Sequence, residues 1–473
     1  MKNMTLARMA EACGGIYYGS EEDREKEICA VTTDSRKAEP GCLFAAIRGE
    51  RADGHDFIPS VFEKGALCVL TEREPLAVSV SAGGAQESAS SVCGNYIKVK
   101  STIAALGALA EYYLEQLAIP VVGVTGSVGK TSTKEMIAAV LSQKYRTLKT
   151  AGNFNNELGL PLTIFRLRED DQIAVLEMGI NHFGEMHRLA KIARPDTCVI
   201  TNIGQCHLEF LGDRDGVLRA KSEIFDFLRP DGHIILNGDD DKLETLHCVK
   251  GIRPTFFGVG SDNDIYADQI EKKGLNGIAC RICTAETSFT VLIPVPGIHM
   301  VMNALAATAV GLQYGLTPDE IRAGIESLQP VSGRFHIIQT QSFTIIDDCY
   351  NANPVSMKAS LEVLQDGLNR KVAILGDMGE LGEGEVRMHR EVGEFAGSLA
   401  LDLCICVGSL SVYIAEGINA VNAKMKTLVF PNLQSLLAQL PSLMDKDDTI
   451  LVKASHFMHF EKVVAKLEEM DIY

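Results

Sequence analysis

From residue 101 onward, short apolar runs alternate with stretches of helical periodicity. The runs VVGVT (121–125), IAVLE (173–177), TCVIT (197–201) and HIILN (233–237) read as strands of a parallel sheet covered by helices. STIAALGALAEYYLEQL, from Ser101, and MNALAATAVGLQYGL, from Met302, read as helices. In TPDEIRAGIESL, Thr317 is placed to cap a helix, Pro318 to fill its first turn and Glu320 to close a capping box. A second alternating series begins near Val331, with FTIIDD, KVAILGD, DLCICVG and TILVKAS each followed by a helix-like stretch. Before residue 98 the pattern differs: short strands such as ALCVL and NYIKV lie among turns. One small-residue stretch, SVSAGGAQESASS (79–91), is expected to be a flexible excursion. No fixed period repeats. The patterning predicts an α/β protein of three domains, 1–98, 99–330 and 331–473.

Length agrees, because 473 residues exceed what one core organises. A 46% hydrophobic and 23% charged composition is that of a globular chain. The net charge of −17 argues against a general nucleic-acid binder and leaves any anionic substrate to local cations and helix N-termini. The N-terminal segment lacks the apolar core of a signal peptide, and no run is long enough to span a membrane. Thirteen cysteines without a regular framework favour reduced thiols. Cys280 and Cys283 have no second pair to complete a zinc site, so buried thiols are the simpler reading. A cytoplasmic monomer is expected.

Chemistry enters at GVTGSVGKTST (123–133). A Walker loop would place glycine at position 124, where Val124 stands, yet Gly123, Gly126 and Gly129 precede Lys130 and Thr131. The segment follows an apolar strand and opens a helix, as a phosphate loop requires. Gly126, Ser127, Gly129 and Ser132 would let backbone N–H groups wrap phosphates, Lys130 would neutralise them, and the Thr131 hydroxyl would hold Mg²⁺. The rival is a plain glycine-rich turn. No Asn-Lys-x-Asp guanine reader is present, which excludes a GTPase. Glu177 ends one strand and His207 follows another. Each alone reads more readily as a surface or structural residue, and together with the loop they become candidate Mg²⁺ ligands. Lys221, on an amphipathic helix, reads by itself as a solvated lysine.

TGSVGKTSTKEM, NFNNELGLPLT, EMGINHFGEM, TNIGQCHLEFLG, AKSEIF, GRFHI, IDDCYNANPVSM and LGDMGELG, together with TDSRKAEPGCLFAAIRGERADGHDFI near the start, closely resemble the Mur ligases of bacterial cell-wall synthesis. The likeness runs over nearly the whole chain. YNANP, with no Asp-Asn-Pro-Arg motif, points to the branch that adds D-alanyl-D-alanine to UDP-N-acetylmuramoyl-tripeptide. The resemblance implies an N-terminal UDP-binding domain, a central ATPase domain and a Rossmann-like C-terminal domain that takes the amine substrate. ATP and Mg²⁺ are the implied cofactors. It also implies that Lys130 and Thr131 bind the γ-phosphate and Mg²⁺, that Glu177 and His207 serve the metal, and that Asn155 or Asn156 lies near the transferred phosphate. Lys221 matches a lysine that relatives carry as a carbamate ligand. Asn303 matches an adenine contact, Arg334 a phosphate contact and Asp348 a ribose contact. Ser35 and Arg36 match the uridine-diphosphate region, and Asn351 and Asn353 fall in the substrate motif.

Three positions depart from the family pattern: Met300 replaces an asparagine, Cys206 an alanine, and His456 an arginine. The last exchanges a fixed cationic fork for a titratable ring. Three rivals stand beside this reading: a tripeptide-forming or folyl-polyglutamate ligase, a phosphate-loop kinase, and a nucleotide-gated binding protein without catalysis. DSRKAEPGCLFAAIRG argues against the folate type, and amine-dependent phosphate release would separate a ligase from the other two.

Overall fold

The computed structural model describes residues 1–49, 52–75, 77–79, 90–92 and 94–470. Most of the excursion expected over 79–91 lies outside the described residues; the strands Ala77–Ser79 and Ser90–Val92 that bound it pair antiparallel.

Three larger sheets follow one another along the chain. The first has five strands in the order Ile16–Tyr18, Asn95–Lys98, Cys68–Thr71, Leu43–Ala45, Val31–Thr32, parallel except at the Ile16–Tyr18 edge. The third has six, in the order His336–Gln339, Phe343–Asp347, Asp448–Lys453, Lys371–Gly376, Leu403–Val407, Lys426–Phe430, with only the first antiparallel to its neighbour.

The second sheet carries the phosphate loop. Val121–Thr125 lies between Ile173–Glu177 and Thr197–Ile200, all parallel, and every residue of the three strands is buried. Burial on both faces is why these segments read as continuous apolar runs. The order continues through His233–Asn237 and Thr255–Gly258, with Thr147–Lys149 at the other edge. Beyond Thr255–Gly258 come Ile265–Lys272, Ile278–Cys283 and Ser288–Ile293, the last two antiparallel to their neighbours. The strand–helix alternation did not predict this extension. Its signal is a different period: Ser288–Ile293 alternates exposed and buried residues throughout.

The helix Thr102–Leu117 packs on the second sheet's side and belongs to the apolar cluster joining that sheet to the first. The helix Lys130–Leu141 packs against Ile298–Gln313 and Pro318–Glu326. Ile298–Gln313 begins four residues before the periodic stretch that predicts it. The capping box at Thr317 and Glu320 forms as expected. Among the described residues no helix is long and apolar enough to cross a membrane, and every cysteine is a free thiol. Cys280 and Cys283 are buried.

Candidate active site

The phosphate loop is built by sterics and then by hydrogen bonds. Gly126 has φ of +149°, and a Cβ there would lie 1.9 Å from Thr201 Oγ1, so a side chain cannot be accommodated. The Val128 N–H donates to Asn202 Oδ1 at 2.9 Å, and the Ser127 N–H to the Asn202 carbonyl at 3.0 Å. Those two donors are therefore engaged. The first-turn N–H groups of Lys130, Thr131 and Ser132 have no partner within the helix, and they provide the positive end for a phosphate. Lys130 Nζ donates to the Gly126 carbonyl at 2.9 Å.

Glu177, at the end of its strand, is 2% exposed. Its carboxylate accepts from Thr131 Oγ1 and from Asn155 Nδ2, each at 2.9 Å. Lys134, wholly buried, stands behind it: its Nζ lies 3.8 Å from Glu177 Oε2 and donates to the Thr150 carbonyl at 2.7 Å. Thr131, Glu177 and Asn155 are thus in contact, and behind them sits Lys134, which sequence reasoning did not single out and whose ammonium also pairs with Glu135 Oε1 at 2.9 Å. Asn156 lines the same cleft, but its side chain accepts from the Leu158 and Gly159 N–H groups and caps a turn.

The cleft encloses about 880 Å³ between the second and third sheets. On one side it is lined by Ser127 to Ser132, Glu177 and His207, and on the other by Arg334, Tyr350, Asn351 and His456. Two pairs cross it or close its floor. His207 Nδ1 lies 2.8 Å from Glu380 Oε2, close enough for an ion pair although not aligned as a hydrogen bond. The His207 ring holds the Glu380 carboxyl below its ordinary pKa. Lys453, buried, binds Asp348 Oδ2 at 2.5 Å, and Ser360 Oγ donates to the same oxygen at 2.6 Å. Asp348, the expected ribose contact, is thereby engaged within its own domain. Among the described residues Arg334 makes no ion pair; its guanidinium lies 4.2 Å from the Tyr350 ring centroid, and that ring also stacks with His456 at 5.2 Å. The residue replacing the family arginine is therefore a stacked cleft-wall group.

Lys221 corrects the solvated-lysine reading outright. It is completely buried, and its Nζ finds no hydrogen-bond partner among the described residues. Burial first, and the Lys130 ammonium second, lower its pKa to about 8. The helix moment could not show this, because the covering residues are distant in sequence.

Other expected positions fall elsewhere. Ser35 and Arg36 form a short turn of the first domain, where Arg36 is exposed and forks onto Asp34; neither lines this cleft. Asn303 is buried behind the phosphate loop, accepting from Thr133 Oγ1 at 2.8 Å, with its amide nitrogen 3.3 Å from Met300 Sδ. The Met300 departure thus leaves a thioether against that amide. Asn353 lines the cleft, and its side-chain oxygen caps the helix Pro354–Gln365 by accepting from the Ser356 N–H at 2.9 Å. Glu380 lay in the quoted motif LGDMGELG but carried no residue-level signal. Among the described residues no three His, Cys, Asp or Glu gather as a metal cluster.

Comparison with known proteins agrees with this arrangement. Three family models match: the Mur ligase family catalytic domain over 27–114, the Mur ligase middle domain over 124–311, and the Mur ligase glutamate ligase domain over 333–456. The chain is 38% identical over 472 residues to the UDP-N-acetylmuramoyl-tripeptide–D-alanyl-D-alanine ligase of Bacillus subtilis, covering 99% of each. It superposes on the MurF of Acinetobacter baumannii with a TM-score of 0.87 at 35% identity, covering 98% of this chain and 99% of that one. A MurF of Thermotoga maritima in complex with ADP matches with a TM-score of 0.78 at 29% identity, covering 93% and 97%. With the phosphate loop, the Glu177 cluster and the cleft shared between two sheets already in place, these likenesses settle the lineage: the chain belongs to the Mur ligase family.

Proposed function

We propose that this protein joins D-alanyl-D-alanine to UDP-N-acetylmuramoyl-tripeptide with hydrolysis of ATP to ADP and phosphate, as a cytoplasmic step of peptidoglycan precursor synthesis. Residues 1–98 take the uridine-diphosphate end, with Ser35 and Arg36 in that region, 99–330 the ATP, and 331–473 the amine. The observation that carries this reading is the cleft that sets Lys130, Thr131 and Glu177 opposite Arg334 and Asn351.

A carboxylate in water is a poor electrophile, and transfer of the γ-phosphoryl group makes it an acyl phosphate with ADP leaving in line. The dipeptide amine then attacks the carbonyl carbon, and phosphate departs from the tetrahedral intermediate. Lys130 and the first-turn N–H groups offset charge on the moving phosphate, and Arg334, packed on the Tyr350 ring at the cleft wall, supplies a second cation from the facing domain. The residues fit Mg²⁺: Thr131 and Glu177 offer adjoining oxygens, His207 a nitrogen, and the partnerless Lys221 amine fits conversion to a carbamate. Bound there, the ion would stabilise phosphate charge. Closure of the third domain, already touching the second through His207 and Glu380, excludes water from the acyl phosphate.

Phosphate release measured with UDP-N-acetylmuramoyl-tripeptide, with and without D-alanyl-D-alanine, tests this. Release that depends on both is expected; release indifferent to the dipeptide would reject the ligase.

A further inference from the structure

Five carboxylates line the cleft, and four of them are committed. Glu177 holds Thr131 and Asn155. Asp348 accepts from Lys453, Ser360 and the Phe335 N–H. Glu185 accepts from the Asn181 N–H at 2.8 Å and the His182 N–H at 3.2 Å, and Glu157 is forked by Arg188. Glu380 is the fifth. Among the described residues it receives no aligned hydrogen bond, its charge partner is the His207 ring at 2.8 Å, and its side chain is more than half exposed.

The loop that carries Glu380 is pinned at each of the three preceding residues. The Asp377 carboxylate accepts from the N–H groups of Ser409, Leu410 and Ser411. The Met378 N–H donates to His389 Nε2 at 2.9 Å, and the Gly379 N–H to Ser455 Oγ at 2.9 Å. Glu380 itself is left-handed, with φ of +60°, as is His207 opposite it, with φ of +51°. A non-glycine backbone persists there only where its surroundings impose it, and such residues cluster at ligand sites. Phe457, more than half exposed in the same cleft, lies against this loop: a Cβ on Gly379 would fall 2.9 Å from its Cε1. An uncommitted anion and an apolar ring therefore stand together on the third-domain wall, beside the His207 end of the phosphate side. Lys130 and Arg334 place cations elsewhere on the walls, so an entering ammonium is drawn to Glu380.

We propose that Glu380 receives the α-ammonium of the incoming D-alanyl-D-alanine, with the Phe457 ring against the methyl group beside it, so that the pair orients the amine and selects against analogues without one. The assignment rests on the ligase reading above and gives its amine substrate a named contact.

The test is phosphate release by the full-length protein at saturating ATP and UDP-N-acetylmuramoyl-tripeptide, with D-alanyl-D-alanine varied. D-Lactoyl-D-alanine, in which a hydroxyl replaces the ammonium, serves as competitor. Glu380→Gln keeps the side chain's length and an oxygen toward His207 but not the charge. It should raise the KM for D-alanyl-D-alanine about tenfold to a hundredfold, the worth of a hydrogen bond to a charged group, and leave inhibition by D-lactoyl-D-alanine nearly unchanged. Phe457→Ala should weaken both ligands in parallel, about fourfold, since both carry the methyl. An unchanged KM in Glu380→Gln, or equal losses for the two ligands, overturns the ammonium contact and leaves Glu380 a partner of His207 alone. No change for either ligand in Phe457→Ala overturns the role of the ring. Should Glu380→Gln fail to fold, the wild type decides: D-lactoyl-D-alanine must bind at least about tenfold more weakly than D-alanyl-D-alanine, and equal affinity overturns the proposal. Wild-type release indifferent to the dipeptide overturns the ligase reading itself.

Discussion

Replacing Lys221 by arginine asks whether a buried cation or a carbamate serves the site. The amine is wholly buried and partnerless, and its pKa falls from 10.5 to about 8. At pH 7.5 such an amine is neutral in about one molecule in four, against about one in a thousand at the ordinary value. CO₂ reacts with the neutral form, so the fold raises the reactive population roughly two-hundred-fold. Left as an ammonium, the group costs about 3 kcal/mol at about 1.4 kcal/mol per pH unit. Because the folded-state value lies below the unfolded one, that cost is present below about pH 8 and is relieved as pH rises toward 10.5. Lys221→Met, which keeps length without charge, should therefore melt no lower than wild type at pH 7 yet lose turnover. Lys221→Arg keeps a cation that takes up no CO₂ and should lose about 10² or more in phosphate release. Wild type held in acidic, CO₂-depleted buffer should lose activity and regain it with bicarbonate, and ¹³C-bicarbonate should give a carbamate NMR signal absent in Lys221→Met. Full activity of Lys221→Arg, or indifference of wild type to CO₂ removal, refutes the reasoning and leaves Lys221 a structural lysine.

Lys130→Ala should fold normally and lose about 10² to 10³ in turnover, because a fixed cation at the transferring phosphate is removed; near-normal steady-state rates would reject that role. If both domains grip one nucleotide, solution scattering should show a smaller radius of gyration with an ATP analogue plus acceptor than without, and superimposable profiles would count against closure. Asp448 is wholly buried with one carboxylate oxygen unpartnered, and burial raises its pKa from 3.8 to about 6. Its folded value exceeds the unfolded one, so the ionised group costs stability above about pH 6 and the cost fades as pH falls toward 3.8. Asp448→Asn should raise the melting temperature at pH 7.5, by up to about 3 kcal/mol in stability, with the gain shrinking near pH 4.5; a loss at pH 7.5 would show that the Arg370 contact outweighs desolvation.

Much of the fold was legible because its signals are local. The runs at 121–125, 173–177 and 197–201 are apolar throughout, since both faces of a parallel strand are covered, and the Thr317 box closes within four residues. The phosphate loop was legible for the same reason: a strand, glycines and a helix start are contiguous, and Gly126 is dictated by one close approach. The antiparallel extension at 265–293 was missed because its alternating period belongs to a different kind of strand. The site's electrostatics depended on groups far apart in the chain. Nothing near Lys221 in sequence announces that it is buried close to Lys130, nor does the Glu380 motif announce the His207 ring 2.8 Å away. Asp348 gives no sign in sequence of its partner Lys453, more than a hundred residues on. Sequence by itself determined where the buried parallel strands and the glycine-rich strand–loop–helix lie, since backbone geometry and periodicity act over a few residues. Tertiary structure alone decided which side chains are charged, covered or spent, because desolvation and pairing depend on whatever the fold brings within a few ångströms.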